Sequence, residues 1–242
     1  MHMQQANIKK GFTLLELLIV IAIIAILSVV LVLVLNPAET LKKSRDAQRI
    51  SDMSSLKTAL GLYITAVASP SLNTAVANLC LTGSNAQAQI GYSYTGGQMV
   101  CAGAAPAKGA DAVSGSSFSA SDWCYNATTT ATSTVIDGTG WLPVNLTQIT
   151  GGSPISNLPL DPTNTVATPN SPASSDYVYR YACQSVGDST HPSYVYEIDA
   201  VLESDTYKAG GSDDKSAKDG GDNVNYYEVG TSLRLIGGGT TF

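Results

Sequence analysis

The stretch "KKGFTLLELLIVIAIIAILSVVLVLVL", residues 9–35, decides the reading of this chain. From Phe12 to Leu35 it runs for 24 residues, nineteen of them Leu, Ile, Val or Phe. As a helix rising ~1.5 Å per residue it is about 36 Å long, enough to cross the hydrocarbon core of a bilayer. At roughly −0.3 to −0.6 kcal/mol each, these side chains favour insertion by about 6 to 11 kcal/mol. A single acid at the centre costs only about 3, and less near an interface, so Glu16 does not prevent insertion. A cleavable secretory signal has a shorter apolar core, roughly 7–15 residues, followed by small residues, and neither fits here. Lys9 and Lys10 precede the span while Lys42, Lys43, Arg45 and Arg49 follow it, so flanking charge leaves the orientation open.

Beyond the span the character changes. Residues 1–50 hold six Lys/Arg and three acids, a balance of +3, while residues 51–242 hold seven and sixteen, a balance of −9. An acidic body rich in Ser, Thr, Gly, Asn and Ala lacks the clustered cations that displace counterions from nucleic acid. Enzymatic constellations are missing too. The two histidines are His2 and His191, which nearly excludes His-based triads and His metal clusters, and there is no P-loop. Cys80, Cys101, Cys124 and Cys183 form no CxxC pair; their even number fits two disulfides in an oxidising compartment, with three connectivities open.

Asn36-Pro37 interrupts the apolar run, as a kink or as a new helix start with proline in the first turn. Ile50, Met53, Leu56, Leu60, Tyr63, Ile64 and Val67 then recur every three or four residues. Arg45, Asp46, Arg49, Asp52 and Lys57 lie between them as opposite charges at helical spacing. The pattern predicts an amphipathic helix over 36–68 that shows one apolar stripe to a domain. Residues 69–242 read as one globular head, loop-rich over 71–176. Strands are expected at Ile90–Tyr94, Met99–Cys101, Tyr177–Cys183, Tyr194–Leu202 and Ser232–Ile236. Tyr177, Tyr179 and Tyr181 alternate, which suits cross-strand packing better than a ligand platform.

A basic leader ending in Gly11, followed by Phe12-Thr13-Leu14-Leu15-Glu16-Leu17, resembles the class III signal of type IV prepilins and type II secretion pseudopilins. The resemblance implies an α+β pilin fold. In it a long N-terminal transmembrane helix packs by its second half on an antiparallel β-sheet, here with large loop-rich insertions. It also implies residues 1–11 as a leader that a prepilin peptidase removes between Gly11 and Phe12, with Phe12 then N-methylated. Residues 12–35 become the transmembrane and assembly helix. The chain is expected to be a single-pass protein of the cytoplasmic membrane that joins a homo-oligomeric surface filament, through an assembly platform and minor pilins. Glu16 is the expected counter-charge for the new ammonium of Phe12 on a neighbouring subunit, because an unpaired buried charge costs several kcal/mol.

"LPLDP", residues 158–162, resembles an element of the major pseudopilin of type II secretion, which makes a secretion-like or DNA-uptake apparatus the alternative role. That resemblance also implies calcium near the C-terminus. The stretch 203–222, "ESDTYKAGGSDDKSAKDGGD", gathers Glu203, Asp205, Asp213, Asp214, Asp219 and Asp222 around glycines, and calcium takes six to eight hard oxygens. An EF-hand pattern fails there, and Lys208, Lys215 and Lys218 dilute the charge; no cofactor is otherwise required.

Overall fold

The computed structural model describes residues 11–73, 79–83, 88–99, 101, 105–119, 122–127, 130–169 and 172–238. Met1–Leu41 and Lys42–Phe242 form two separate units. In the first, helix α1 spans Leu14–Leu35, and no side chain of its Leu14–Val32 stretch is buried. A helix apolar on every side has no water-facing stripe, so its surface is suited to lipid or to other apolar helices. It ends at Asn36, whose φ of 38° is left-handed; asparagine tolerates this conformation better than most residues. Helix α2, Pro37–Ala66, begins directly after it with proline at its first position, where a missing N–H costs nothing. It stops two residues before the expected Ala68.

In the second unit, α2 lies against a five-stranded sheet of β1 (Ile90–Tyr92), β2 (Cys124–Tyr125), β3 (Arg180–Gln184), β4 (Val195–Ala200) and β5 (Tyr227–Gly230). The strand order is β2-β1-β3-β4-β5, with β1 and β2 parallel and the other neighbours antiparallel. Among the described residues one short helix, α3 (Thr130–Ser133), and two 3-10 turns, Leu146–Gln148 and Ser216–Lys218, punctuate the loops.

Alternation in the strands explains both faces. Met53, Leu56, Ala59, Leu60 and Tyr63 of α2 share a core with Tyr179, Tyr181, Cys183, Tyr196, Ile198 and Ala200. The tyrosines end in hydrogen bonds: Tyr179 donates to Asp52 (2.7 Å), Tyr196 to the Lys57 carbonyl (3.0 Å) and Tyr181 to the Leu72 carbonyl (3.0 Å). The opposite face is covered as well. Ile90, Tyr92, Val178, Ala182 and Val195 pack against Met99, Val113, Phe118, Trp123, Leu235 and Ile236, so the insertions serve as a lid over the sheet. Gln184 ties that lid down: its Oε1 accepts from the Val113 amide (2.6 Å) and its Nε2 donates to the Pro192 carbonyl (2.6 Å).

Three strand expectations need correction. Met99 and Cys101 are not in strands; the Met99 amide donates instead to the Asn126 side chain (2.9 Å). Ser232–Ile236 is not a strand either, because the Leu235 and Ile236 amides go to the Glu197 carboxylate. Among the described residues the last strand is β5, earlier in the chain. Tyr177 and Tyr179 precede β3 rather than belonging to it.

The cysteines resolve into Cys80–Cys183, with Cα atoms 4.6 Å apart, and Cys101–Cys124, with Cα atoms 5.5 Å apart. The first closes a sequence separation of 103 residues, the second one of 23. On chain entropy alone they stabilise the fold by about 4–5 and about 3 kcal/mol, which suits a head so rich in loops.

Candidate functional site

The head of α1 is a capping box. Thr13 precedes the helix with extended backbone, and its Oγ1 accepts from the Glu16 amide (3.2 Å). The Glu16 carboxylate returns the bond, accepting from the Thr13 amide (3.0 Å) and the Thr13 hydroxyl (2.9 Å). Two of the helix's orphan N–H groups are thereby satisfied within one turn. Glu16 thus has a local partner that the sequence pattern Thr-x-x-Glu signals, beside its expected role between subunits. Gly11 and Phe12 lie just before this cap, both exposed, with open space around Gly11.

A second charged site lies in the globular unit. Arg49 is fully buried, although its place between apolar positions of α2 reads as a polar flank. Its guanidinium grips Asp161 through Nε (2.7 Å) and Nη2 (2.8 Å), and Nη1 reaches Asp46 (2.8 Å) and Glu203 (2.6 Å). Arg45 holds Glu203 with two further bonds of 2.7 and 2.6 Å. Asp46 in turn accepts the amides of Glu203 (3.0 Å) and Ser204 (2.8 Å). "LPLDP" therefore has a structural reason. Leu158 is buried, the Pro159 carbonyl accepts from Trp141 Nε1 (3.0 Å), and Asp161 clamps the segment to α2.

Hydrogen bonding from Arg45, followed by the Arg49 contacts, holds the Glu203 carboxyl down at about 2. Its folded value lies below the ordinary 4.5, so its stabilising contribution is present above pH 4.5 and drains away as pH falls towards 2. We expect the melting temperature of the detergent-solubilised chain to fall between pH 5 and 2, with a shallower slope for Glu203→Gln, as read by circular dichroism.

The six acids expected to hold calcium are not gathered. Glu203 belongs to the arginine cluster, Asp205 pairs with Lys208 (2.6 Å), and Asp213 pairs with Lys215 and Lys218 (both 2.6 Å). Asp214 accepts the amides of Gly210 (2.7 Å) and Ala217 (3.1 Å), and Asp219 those of Gly221 and Glu228 (both 2.8 Å). Asp222 lies near the end of the loop, half-buried. The lysines that dilute the loop's charge in the sequence are the partners that hold it in the fold.

The acids that do converge were not singled out by the sequence. Glu197 and Asp199 on β4 and Glu228 on β5 have ligand atoms within 4.8 Å of one another, and all three are buried. Burial, and then the neighbouring negative charges, raise the carboxyls of Glu197 and Asp199 well above the usual range. Burial likewise pushes Glu228 up to about 7. The signal was present in "YVYEIDAVL", where two acids occupy alternate positions inside an otherwise apolar strand. Two asparagines also have structural tasks. Asn126 is buried and bridges Met99, Tyr94 and Gly97, while Asn145 caps the turn at Leu146–Gln148.

Residues 7–32 match the family described as the prokaryotic N-terminal methylation motif, confined to the leader and α1. This motif is the class III signal peptide of type IV pilins and pseudopilins, and the N-terminal segment of the chain carries it. With the apolar helix and the antiparallel-rich sheet, the arrangement is an α+β fold consistent with the pilin fold. The motif points to a structural subunit rather than to an enzyme, and to anchoring in the membrane before assembly. No curated protein matches the chain, and no solved structure does.

Proposed function

We propose that this chain is the precursor of a subunit of a type IV pilus-like surface filament. Held in the cytoplasmic membrane by α1, it is cut between Gly11 and Phe12 by a prepilin peptidase and methylated on Phe12. It then polymerises through α1, with an assembly platform and minor pilins, and the head forms the filament surface. The observation that carries this reading is the N-terminal methylation motif at residues 7–32 with Glu16 at its fixed offset. A helix with no buried side chain over Leu14–Val32 supports it, since that surface requires lipid or neighbouring helices. Mass spectrometry of the mature chain is expected to find N-methylated Phe12 at the start; any other start overturns the proposal.

The short pseudopilus of a secretion or DNA-uptake apparatus is the second reading. It is favoured by "LPLDP", whose aspartate clamps α2 through Arg49. Electron microscopy separates the two by filament length.

A further inference from the structure

The sheet face turned away from α2 is apolar under its loops apart from Gln184, Arg180 and three acids. Alternation puts Glu197 and Asp199 of β4 and Glu228 of β5 on that face, with Asp199 directly opposite Glu228 in the antiparallel register. Like charges opposed across two strands destabilise a sheet, more so when no water reaches them. Here Glu197 and Asp199 have no exposure and Glu228 has 1%.

Backbone amides reach one oxygen of Glu197 and one of Glu228. One oxygen of Glu197 accepts the Leu235 (2.6 Å) and Ile236 (3.2 Å) amides, and one of Glu228 accepts the Asn223 amide (3.1 Å). Glu197 Oε1, Glu228 Oε1 and both Oδ atoms of Asp199 have no hydrogen-bond partner. A buried carboxylate with neither oxygen bonded is costly, and native structures give such groups a proton, a cation or a metal. Arg180, opposite Asp199 across β3 and β4, is the cation beside the cluster. Its guanidinium lies over the Tyr226 ring at 4.7 Å and donates to the Ala173 (3.0 Å) and Asp176 (3.1 Å) carbonyls. Were all three carboxyls ionised, the Arg180 guanidinium would leave two negative charges for protons or a cation to balance.

We propose that Glu197, Asp199 and Glu228 bind one hard divalent cation between them, each offering a carboxylate oxygen. Oxygen-only ligands select calcium, magnesium or manganese over the softer transition metals. The ion joins β4 to β5 and, through the Glu197 carboxylate that accepts the Leu235 and Ile236 amides, to the 235–236 segment. The end of the acidic loop passes beside the cluster: a Cβ added at Gly221 would meet the Glu228 carboxylate. The site uses none of the lysine-paired acids of that loop.

The test uses the full chain in detergent, stripped with EDTA and then equilibrated with calcium, magnesium or manganese alone. Metal content by plasma mass spectrometry is expected to reach one equivalent for the preferred ion. The melting temperature should rise by roughly 5–10 °C at a hundredfold excess over the dissociation constant. Asp199→Asn and Glu228→Gln should each lose both the equivalent and the shift, whereas Asp213→Asn in the loop keeps them. If the wild type takes up less than a tenth of an equivalent of every ion, the carboxylates are balanced by protons and the proposal is wrong. It is equally wrong if Glu228→Gln retains the full equivalent. The wild-type uptake measurement decides even where a variant fails to fold.

Discussion

Glu16→Gln is expected to cut filament assembly by a hundredfold or more while the chain still inserts in the membrane and is still processed. Glutamine keeps an acceptor oxygen for the Thr13 amide and hydroxyl, so the cap on α1 survives; only the charge is lost. In the proposed filament that charge faces the ammonium of Phe12 on a neighbouring subunit. Leaving the ammonium unpaired among apolar helices costs several kcal/mol, and each 1.4 kcal/mol is a factor of ten. Glu16→Ala removes the cap as well and should also cost the helix start about 1 kcal/mol. Sheared filaments quantified by immunoblot, beside the processed membrane pool, check the expectation. Equal assembly of the glutamine variant would assign Glu16 to capping alone.

Arg49→Met is expected to lower the stability of the globular unit by about 3–5 kcal/mol. For a domain of this size that is a fall of about 10 °C or more in melting temperature. Methionine roughly keeps the apolar volume of the stem, so the loss reports charge. Asp46 and Asp161 would stay buried without their guanidinium, and Asp161 would no longer hold residues 158–162 to α2. Asp161→Asn should cost less, because Arg49 keeps Asp46 and Glu203. Thermal melts of the three chains in the same detergent give the ranking. If Arg49→Met melts with the wild type, the cluster contributes nothing net.

The parts of this molecule legible in its sequence are those fixed by near neighbours. The apolar run of α1, its cap and the proline start of α2 are written within a few residues. The stripe from Met53 to Tyr63 is written in one period, and β4 in strict alternation. Arg49 was not legible as buried, because its partners Asp161 and Glu203 lie 112 and 154 residues away. On α2 it borders the apolar stripe, and only a remote carboxylate makes that border dry. β2 has two residues and no pattern to offer, and it exists because β1 lies beside it. The Ser232–Ile236 expectation failed for a related reason: a side chain, Glu197, captured the amides that a strand would have used. Composition alone did not show how the carboxylates of the acidic loop are distributed. Six carboxylates in twenty residues suggested a single ligand set, yet local lysines and turn amides hold most of them, and the acids that converge sit on strands.

The Cys80–Cys183 bridge has one further effect. It encloses the loop-rich stretch between those residues, and the Cys101–Cys124 bridge lies wholly inside it. A single proteolytic nick anywhere from residue 81 to 182 therefore cannot release a fragment. Both cut ends stay covalently attached to the rest of the chain. In the proposed filament a subunit can then be cut once within this loop-rich stretch without shedding mass.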